Sequence, residues 1–135
     1  MKNQSVPAVA GTFSHYFTVD KNVYSGFINT FKDRNPLHVD TDYAQKKGFQ
    51  EKVMHGAILT GFLSYFIGEA WPEKNVIVHS YNIQYVSPVY LDDQLHFKAS
   101  IVDFSEAVNT YEVKYSFTNR QGKQVARGKI SFGKI

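Results

Sequence analysis

The sequence predicts an α+β domain in which an antiparallel sheet curls around one apolar helix. Three observations carry this. The stretch AILTGFLSYFIGEA (57–70) is apolar on nearly all faces and long enough to be a helix, and a helix apolar all round is usually buried. Four long segments after it alternate apolar and polar side chains, the period of half-buried strands. Another alternating segment precedes the helical part. Strands and helices segregated in this way pack as a sheet with helices on one side.

The elements follow in order. Thr12 to Val19 alternates, with Phe13, His15, Phe17 and Val19 on one side. Asp20 then suits a helix cap. Val23, Phe27, Ile28 and Phe31 recur at helical spacing. This helix must end near Asp33, because Pro36 holds Asn35 in extended geometry. DRNPLHVD (33–40) is therefore read as a rigid loop leaving a helix. Residues 41–47 form a short helix capped by Asp40 or Thr41, with Gly48 as its stop. In 57–70, Gly61 and Gly68 cost helix propensity, which is reasonable if a sheet or another backbone presses on them. Trp71-Pro72 ends the helix. Strands are expected at 76–86, 94–104, 109–118 and 125–132, with NRQGK as a turn. Ala126, Gly128, Ile130 and Phe132 share a face, and the small residues there would let a helix lie close. Strands this long leave open edges, which a second copy of the chain would cover.

The chain has 135 residues, 43% hydrophobic and 20% charged, as in an ordinary globular domain. We read residues 1–135 as one unit, with no repeat, linker or low-complexity segment. There is no cysteine, which excludes disulfides and thiolate metal sites. The 11 Phe and 9 Tyr suit a core of large rings. Lys and Arg are scattered along the chain, so nucleic acid is not an expected partner. The net charge of +3 favours anionic small molecules or an acidic carrier protein. MKNQSVPAVAGTF has no apolar run of signal-peptide length, and 57–70 is too short to span a bilayer. A cytosolic, non-membrane protein is expected.

Asp33 and His38 are five residues apart on the Pro-stiffened segment. A carboxylate and an imidazole are the usual partners for moving protons near neutral pH, and a water could be held between them. The same residues also suit a plain turn. His38, Asp40 and Asp42 form H-x-D-x-D, which could ligate a hard ion. However, no partner cluster exists elsewhere in the sequence, and both acids fit helix-start roles. His55-Gly56 opens the apolar helix, where free N–H groups stabilise negative charge and Gly56 allows close approach. It could equally begin a helix in a cramped place. Ser64 is either a buried hydroxyl or a substrate contact, and no G-x-S-x-G surrounds it. His15, His79 and His96 lack acid partners at telling spacings and are read as structural or exposed. Lys98, Lys114 and Arg127 are read as solvated positions.

These residues carry a resemblance. Asp33-Arg34-Asn35-Pro36-Leu37-His38-Val39-Asp40, then Tyr43-Ala44, Phe49 and Val53-Met54-His55-Gly56, resemble the MaoC-like (R)-specific enoyl-CoA hydratase family. Its signature is D-x-N-P-[LIV]-H-x-D, followed by YA and by V-x-H-G entering a central helix. Pro88-Val89 before Asp92-Asp93 resembles the family's P-V-x-x-G-D. The match runs from about residue 27 to 97, and the ordered set is more specific than any one motif.

The resemblance implies a hot-dog fold, a curved antiparallel sheet wrapped around a long central apolar helix. It also implies a homodimer with acyl tunnels near the interface. The activity implied is reversible syn hydration of trans-2-enoyl thioesters, carried by CoA or acyl-carrier protein, to (R)-3-hydroxyacyl thioesters. The catalytic Asp and His fall on Asp33 and His38, and the oxyanion donor falls on the Gly56 N–H. Asn35, His55 and Ser64 fall at substrate-binding positions. No metal or redox cofactor is implied.

Two departures stand out. Phe31-Lys32 replaces a small pair before the Asp, so a positive φ at Lys32 would be strained. Asp92 replaces a turn glycine, which Asp tolerates. The rival readings are a hot-dog thioesterase and a non-catalytic acyl-binding or partner subunit. The first typically needs a carboxylate on or near the central helix, which 56–68 lacks. The second would be expected to lose Asp33 or His38.

Overall fold

The computed structural model describes residues 11–135. The N-terminal stretch read as lacking a signal peptide falls mostly outside the described residues. Strand β1 (Thr12–Thr18) leads into α1 (Lys21–Phe31), the single turn α2 (Pro36–Val39), α3 (Thr41–Lys46) and α4 (Ala57–Tyr65). A π-helical turn (Phe66–Ala70) extends α4, and β2 (Val76–Tyr85), β3 (Gln94–Ser105), β4 (Thr110–Thr118) and β5 (Gln124–Lys134) follow. The strands form one sheet in the order β1-β3-β4-β5-β2, and every neighbouring pair is antiparallel.

Register explains how the sheet holds the helix. His15, Phe97, Phe117, Ala126 and Tyr85 face one another in turn across all five strands. Phe97, Phe117 and Ala126 in this row are fully buried. The helix supplies Ile58, Leu59, Leu63, Phe66 and Ile67 to the same core, with the Phe66 ring tilted against Phe97 at a centroid distance of 4.8 Å. The outer face carries the alternate residues, so the strands read as in/out alternation.

Local chemistry sets the ends of the helices. Asp20 accepts from the Val23 N–H and caps α1. Gly48 has a φ of 96° just after α3, which suits a helix stop at a glycine. Beyond the π turn, the Trp71 N–H bonds to the Phe66 carbonyl five residues back. This drops the fully buried Trp71 ring onto Phe132 and Tyr111. Lys74 Nζ then donates to the carbonyls of Gly68, Glu69 and Trp71, satisfying helix-end acceptors that would otherwise be orphaned.

Four expectations are corrected. The segment 33–40 is not a bare loop: Asn35 caps α2 by accepting from the Leu37 N–H at 3.0 Å, and Pro36 takes the first helical position, where its missing N–H costs nothing. The 57–70 helix is not buried all round, since Ala57, Gly61, Ser64 and Tyr65 are exposed. Among the described residues, no backbone presses on Gly61 or Gly68, where an added Cβ would meet nothing within 4 Å. At Gly128 the close neighbour is not a helix; an added Cβ would lie 1.8 Å from the Asn82 carbonyl oxygen and 2.7 Å from the Tyr115 hydroxyl.

Both departures from the signature take left-handed backbone, with φ of 65° at Lys32 and 70° at Asp92. Lys32 is the residue just past α1, and its N–H bonds to the Ile28 carbonyl. A β-carbon there costs about 1–2 kcal/mol. Lys32→Gly is therefore expected to raise unfolding stability by about 1 kcal/mol, after allowing for the looser unfolded chain. Denaturant titration of the two proteins measures it.

Candidate active site

The site assembles where α2 leaves α1 and α4 begins. The Val53 N–H bonds to the Leu37 carbonyl at 3.0 Å, and His38 Nδ1 lies 2.8 Å from the Val53 carbonyl oxygen. A carbonyl only accepts, so Nδ1 carries the proton and Nε2 of neutral His38 presents its lone pair. Nε2 lies 4.0 Å from Asp33 Oδ2. That gap is too long for a hydrogen bond and short enough for one water to bridge. The other Asp33 oxygen is fixed by the Asn35 N–H at 3.1 Å. The half-exposed Asp33 side chain thus has one oxygen for the turn and one facing the imidazole.

His55 braces this pair from beneath. It is 3% exposed. Its Nε2–H donates to the Asp33 carbonyl at 2.9 Å, and its ring stacks on His38 with centroids 4.0 Å apart. Phe27 closes the other side at 4.6 Å. Tyr24, buried on α1, donates its hydroxyl to the His38 carbonyl at 2.6 Å.

Sequence reasoning missed both Tyr24 and the Val53 carbonyl. Tyr24 had a signal, since it lies three and four residues before Phe27 and Ile28 on the same helix face. A backbone carbonyl fifteen residues from its partner has none.

Asp33, His38 and His55 offer ligand atoms within 4.8 Å of one another. Two of the four ring nitrogens are already committed to the backbone. His38 Nδ1 and His55 Nε2 are taken by backbone carbonyls. Asp40, from the H-x-D-x-D reading, caps α3 through the Tyr43 N–H instead, and Asp42 lies in the first turn of that helix.

Burial pushes the His55 imidazole below its usual 6.5; the bond to the Asp33 carbonyl opposes this and nearby His38 adds to it. His55 is therefore held neutral. Below pH 6.5 the unfolded chain binds more protons than the folded one at this residue. The stability that neutral His55 contributes is present above that pH and is lost as pH falls below it. Unfolding free energy should thus decline from pH 7 to pH 5 more steeply in the natural chain than in His55→Gln, as read by denaturant titration at each pH.

A cavity of about 470 Å³ is lined by His38, His55, Gly56 and Tyr85 among others. Gly56 caps α4, whose first internal bonds run from Ile58 and Leu59 back to the His55 and Gly56 carbonyls. The N–H groups before them sit at the positive end of the helix. A Cβ on Gly56 would lie 2.7 Å from the Tyr85 ring, so a larger residue fits this turn only if that ring yields. Ser64 is elsewhere, in a groove of about 790 Å³ along the exposed side of α4, lined by Phe27, Phe31, Gly61 and Tyr81. Asn35 uses its side-chain oxygen to cap α2, which leaves its amide NH₂ to reach a ligand. His15, His79 and His96 take no part in the pair; His96 bonds Ser14 and stacks on Tyr16.

A curled antiparallel sheet around one helix defines a hot-dog domain, and here an acid and an imidazole meet at that helix's start. The chain belongs to the MaoC like domain family, whose model matches residues 12–121. It is 31% identical over 84 residues to the mitochondrial 3-hydroxyacyl-[acyl-carrier-protein] dehydratase of Arabidopsis thaliana, covering 62% of this chain and 49% of that one. It is 33% identical over 67 residues to the (R)-specific enoyl-CoA hydratase of Rhodospirillum rubrum, covering 50% of this chain and 46% of that one. The chain thus spans about half the length of these curated relatives. Its fold matches that of the (R)-hydratase from A. caviae involved in PHA biosynthesis, with a TM-score of 0.87 at 18% identity, covering 96% of this chain and 98% of that one.

Proposed function

We propose that the chain catalyses reversible hydration of trans-2-enoyl thioesters to (R)-3-hydroxyacyl thioesters. The observation that carries this reading is the 4.0 Å gap between His38 Nε2 and Asp33 Oδ2, with the His38 tautomer fixed by Val53. A water in that gap is held by both groups over C3 of the alkene. One member of the pair takes its proton as the oxygen attacks C3, and the pair returns a proton to C2 on the same face. The thioester oxygen, which gains charge as the enolate develops, lies against the Gly56 N–H at the start of α4. Holding the water in place supplies much of the rate. Tyr24 and His55 hold the pair, and the groove along α4 beside Ser64 takes the acyl chain.

A second copy completes this arrangement. Among the described residues, β2 is an edge strand that pairs only with β5. Phe31, at 68% exposure, leaves an apolar wall beside α4 open. Pairing of β2 with its counterpart would cover the strand edge. Sedimentation should then give about twice the chain mass of 15.4 kDa.

The thioesterase reading is disfavoured because α4 carries no carboxylate, and the first acid after it, Glu69, is exposed in the π turn. One assay separates the two chemistries. With crotonyl-CoA, loss of the conjugated enoyl absorbance without free thiol is expected. Thiol release with the alkene intact would overturn the reading.

A further inference from the structure

The outer face of the sheet carries a charge pattern that the fold itself does not need. Two register rows cross it. In one, Ser14, Lys98, Ser116, Arg127 and Gln84 face one another in turn; in the next, Thr12, Ser100, Lys114, Lys129 and Asn82 do so. Lys98, Lys114 and Arg127 line one depression of about 730 Å³, together with the serines between them and no carboxylate. Lys114 stands directly opposite Lys129, a pairing that destabilises a sheet. Glu112 offsets Lys129 at 3.8 Å. Among the described residues, no carboxylate lies within salt-bridge reach of Lys98, Lys114 or Arg127, and residues 1–10 include no acid. The Arg127 guanidinium is held out by Gln84 and Gln124 at 3.1 and 2.9 Å.

The spacing indicates what would neutralise this face. Lys98 and Arg127 are two strands apart, about 10 Å, and the second row lies about 7 Å along the strands. A single phosphate cannot span such distances, and the depression is open and shallow. Carboxylates one and two turns apart on a helix, about 5 and 11 Å, can span them. The face also adjoins the catalytic cavity. Gln84, which holds Arg127, is followed by Tyr85, whose ring lies against Gly56.

We propose that this outer sheet face docks an acidic helix of the carrier protein that delivers the acyl thioester, with Lys98, Lys114 and Arg127 as its anchors. The proposal rests on the hydratase reading for its purpose but not for its test. Binding of a fluorescently labelled crotonyl-acyl-carrier protein is measured by anisotropy, alongside turnover of crotonyl-CoA, for the natural chain and K98E/K114E/R127E. The expected result is carrier binding weakened at least tenfold in the variant, and weakened in the natural chain by added salt, with crotonyl-CoA turnover unchanged. The milder K98S/K114S variant, checked by circular dichroism, gives a smaller loss in the same direction and guards against misfolding in the triple variant.

Equal carrier binding by all three proteins overturns the proposal. So does a parallel loss of crotonyl-CoA turnover in folded variants. Displacement of the carrier by a random single-stranded oligonucleotide at lower concentration also overturns it, since the face would then be a general polyanion surface. If the natural chain binds the carrier but hydrates neither thioester, the hydratase reading fails while the docking face stands.

Discussion

Replacing Asp33 with Asn is expected to lower enoyl-thioester hydration by about 10²–10⁴-fold while leaving the fold intact. The substitution is narrow. Asparagine keeps an oxygen for the Asn35 N–H, the bond that shapes the turn, and loses only the charge facing His38. The side chain is half-exposed, so no buried packing is disturbed. His38→Ala should cost as much activity, because the water is then held from one side only. The double variant should be little worse than either single one, since groups that act as a unit are not additive. Single-turnover rates with circular dichroism of each variant measure this. Full activity in both single variants would remove Asp33 and His38 from the chemistry.

Gly56→Ala is the second large effect. The new methyl group meets the Tyr85 ring at 2.7 Å, well inside van der Waals contact. Either the ring moves into the cavity or the start of α4 moves away from it. The Tyr85 ring is 54% exposed and can yield, so the cost lies near the low end of the about 1–3 kcal/mol typical of overpacking. If α4 shifts, displacing the N–H proposed to face the thioester oxygen should lower kcat by about 10²–10³-fold. Pairing the change with Tyr85→Ala separates the two consequences. Removing the ring restores the room, so stability should recover in the double variant relative to Gly56→Ala alone. Additive stability losses instead would show that the Tyr85 contact does not limit this turn.

How much of this was legible varies with the distance over which each feature is determined. The left-handed residue at Lys32 was readable as a strain to check, because helix ends are local and the signature places a small residue there. Asp20 and Gly48 acted as read for the same reason. The interruption of the apolar helix at Phe66 was not readable. Nothing in FIGEA breaks a helix strongly; the π turn comes with the burial of Trp71 against Tyr111 and Phe132, residues some 40 and 60 positions later. Gly61 was misread because an apolar helix was assumed to be enclosed on every side, whereas one side lines an open groove. Lys98, Lys114 and Arg127 looked scattered because antiparallel register, which gathers them, is invisible along a single strand.

By itself, then, the sequence determined the alternating strands, the caps, the apolar helix and the order of residues that places an acid, an imidazole and a helix start in one family's pattern. These depend on side-chain period and on bonds within a few residues. Only the tertiary structure decided that His38 turns Nε2 toward Asp33, that His55 is buried neutral beneath both, and that the Tyr85 ring closes over Gly56. Each of these depends on one partner many residues away, a carbonyl at Val53, a ring at His38 or a strand end at Tyr85. Such contacts have no period and no local preference to announce them, and the folded chain creates them by closing the loops between.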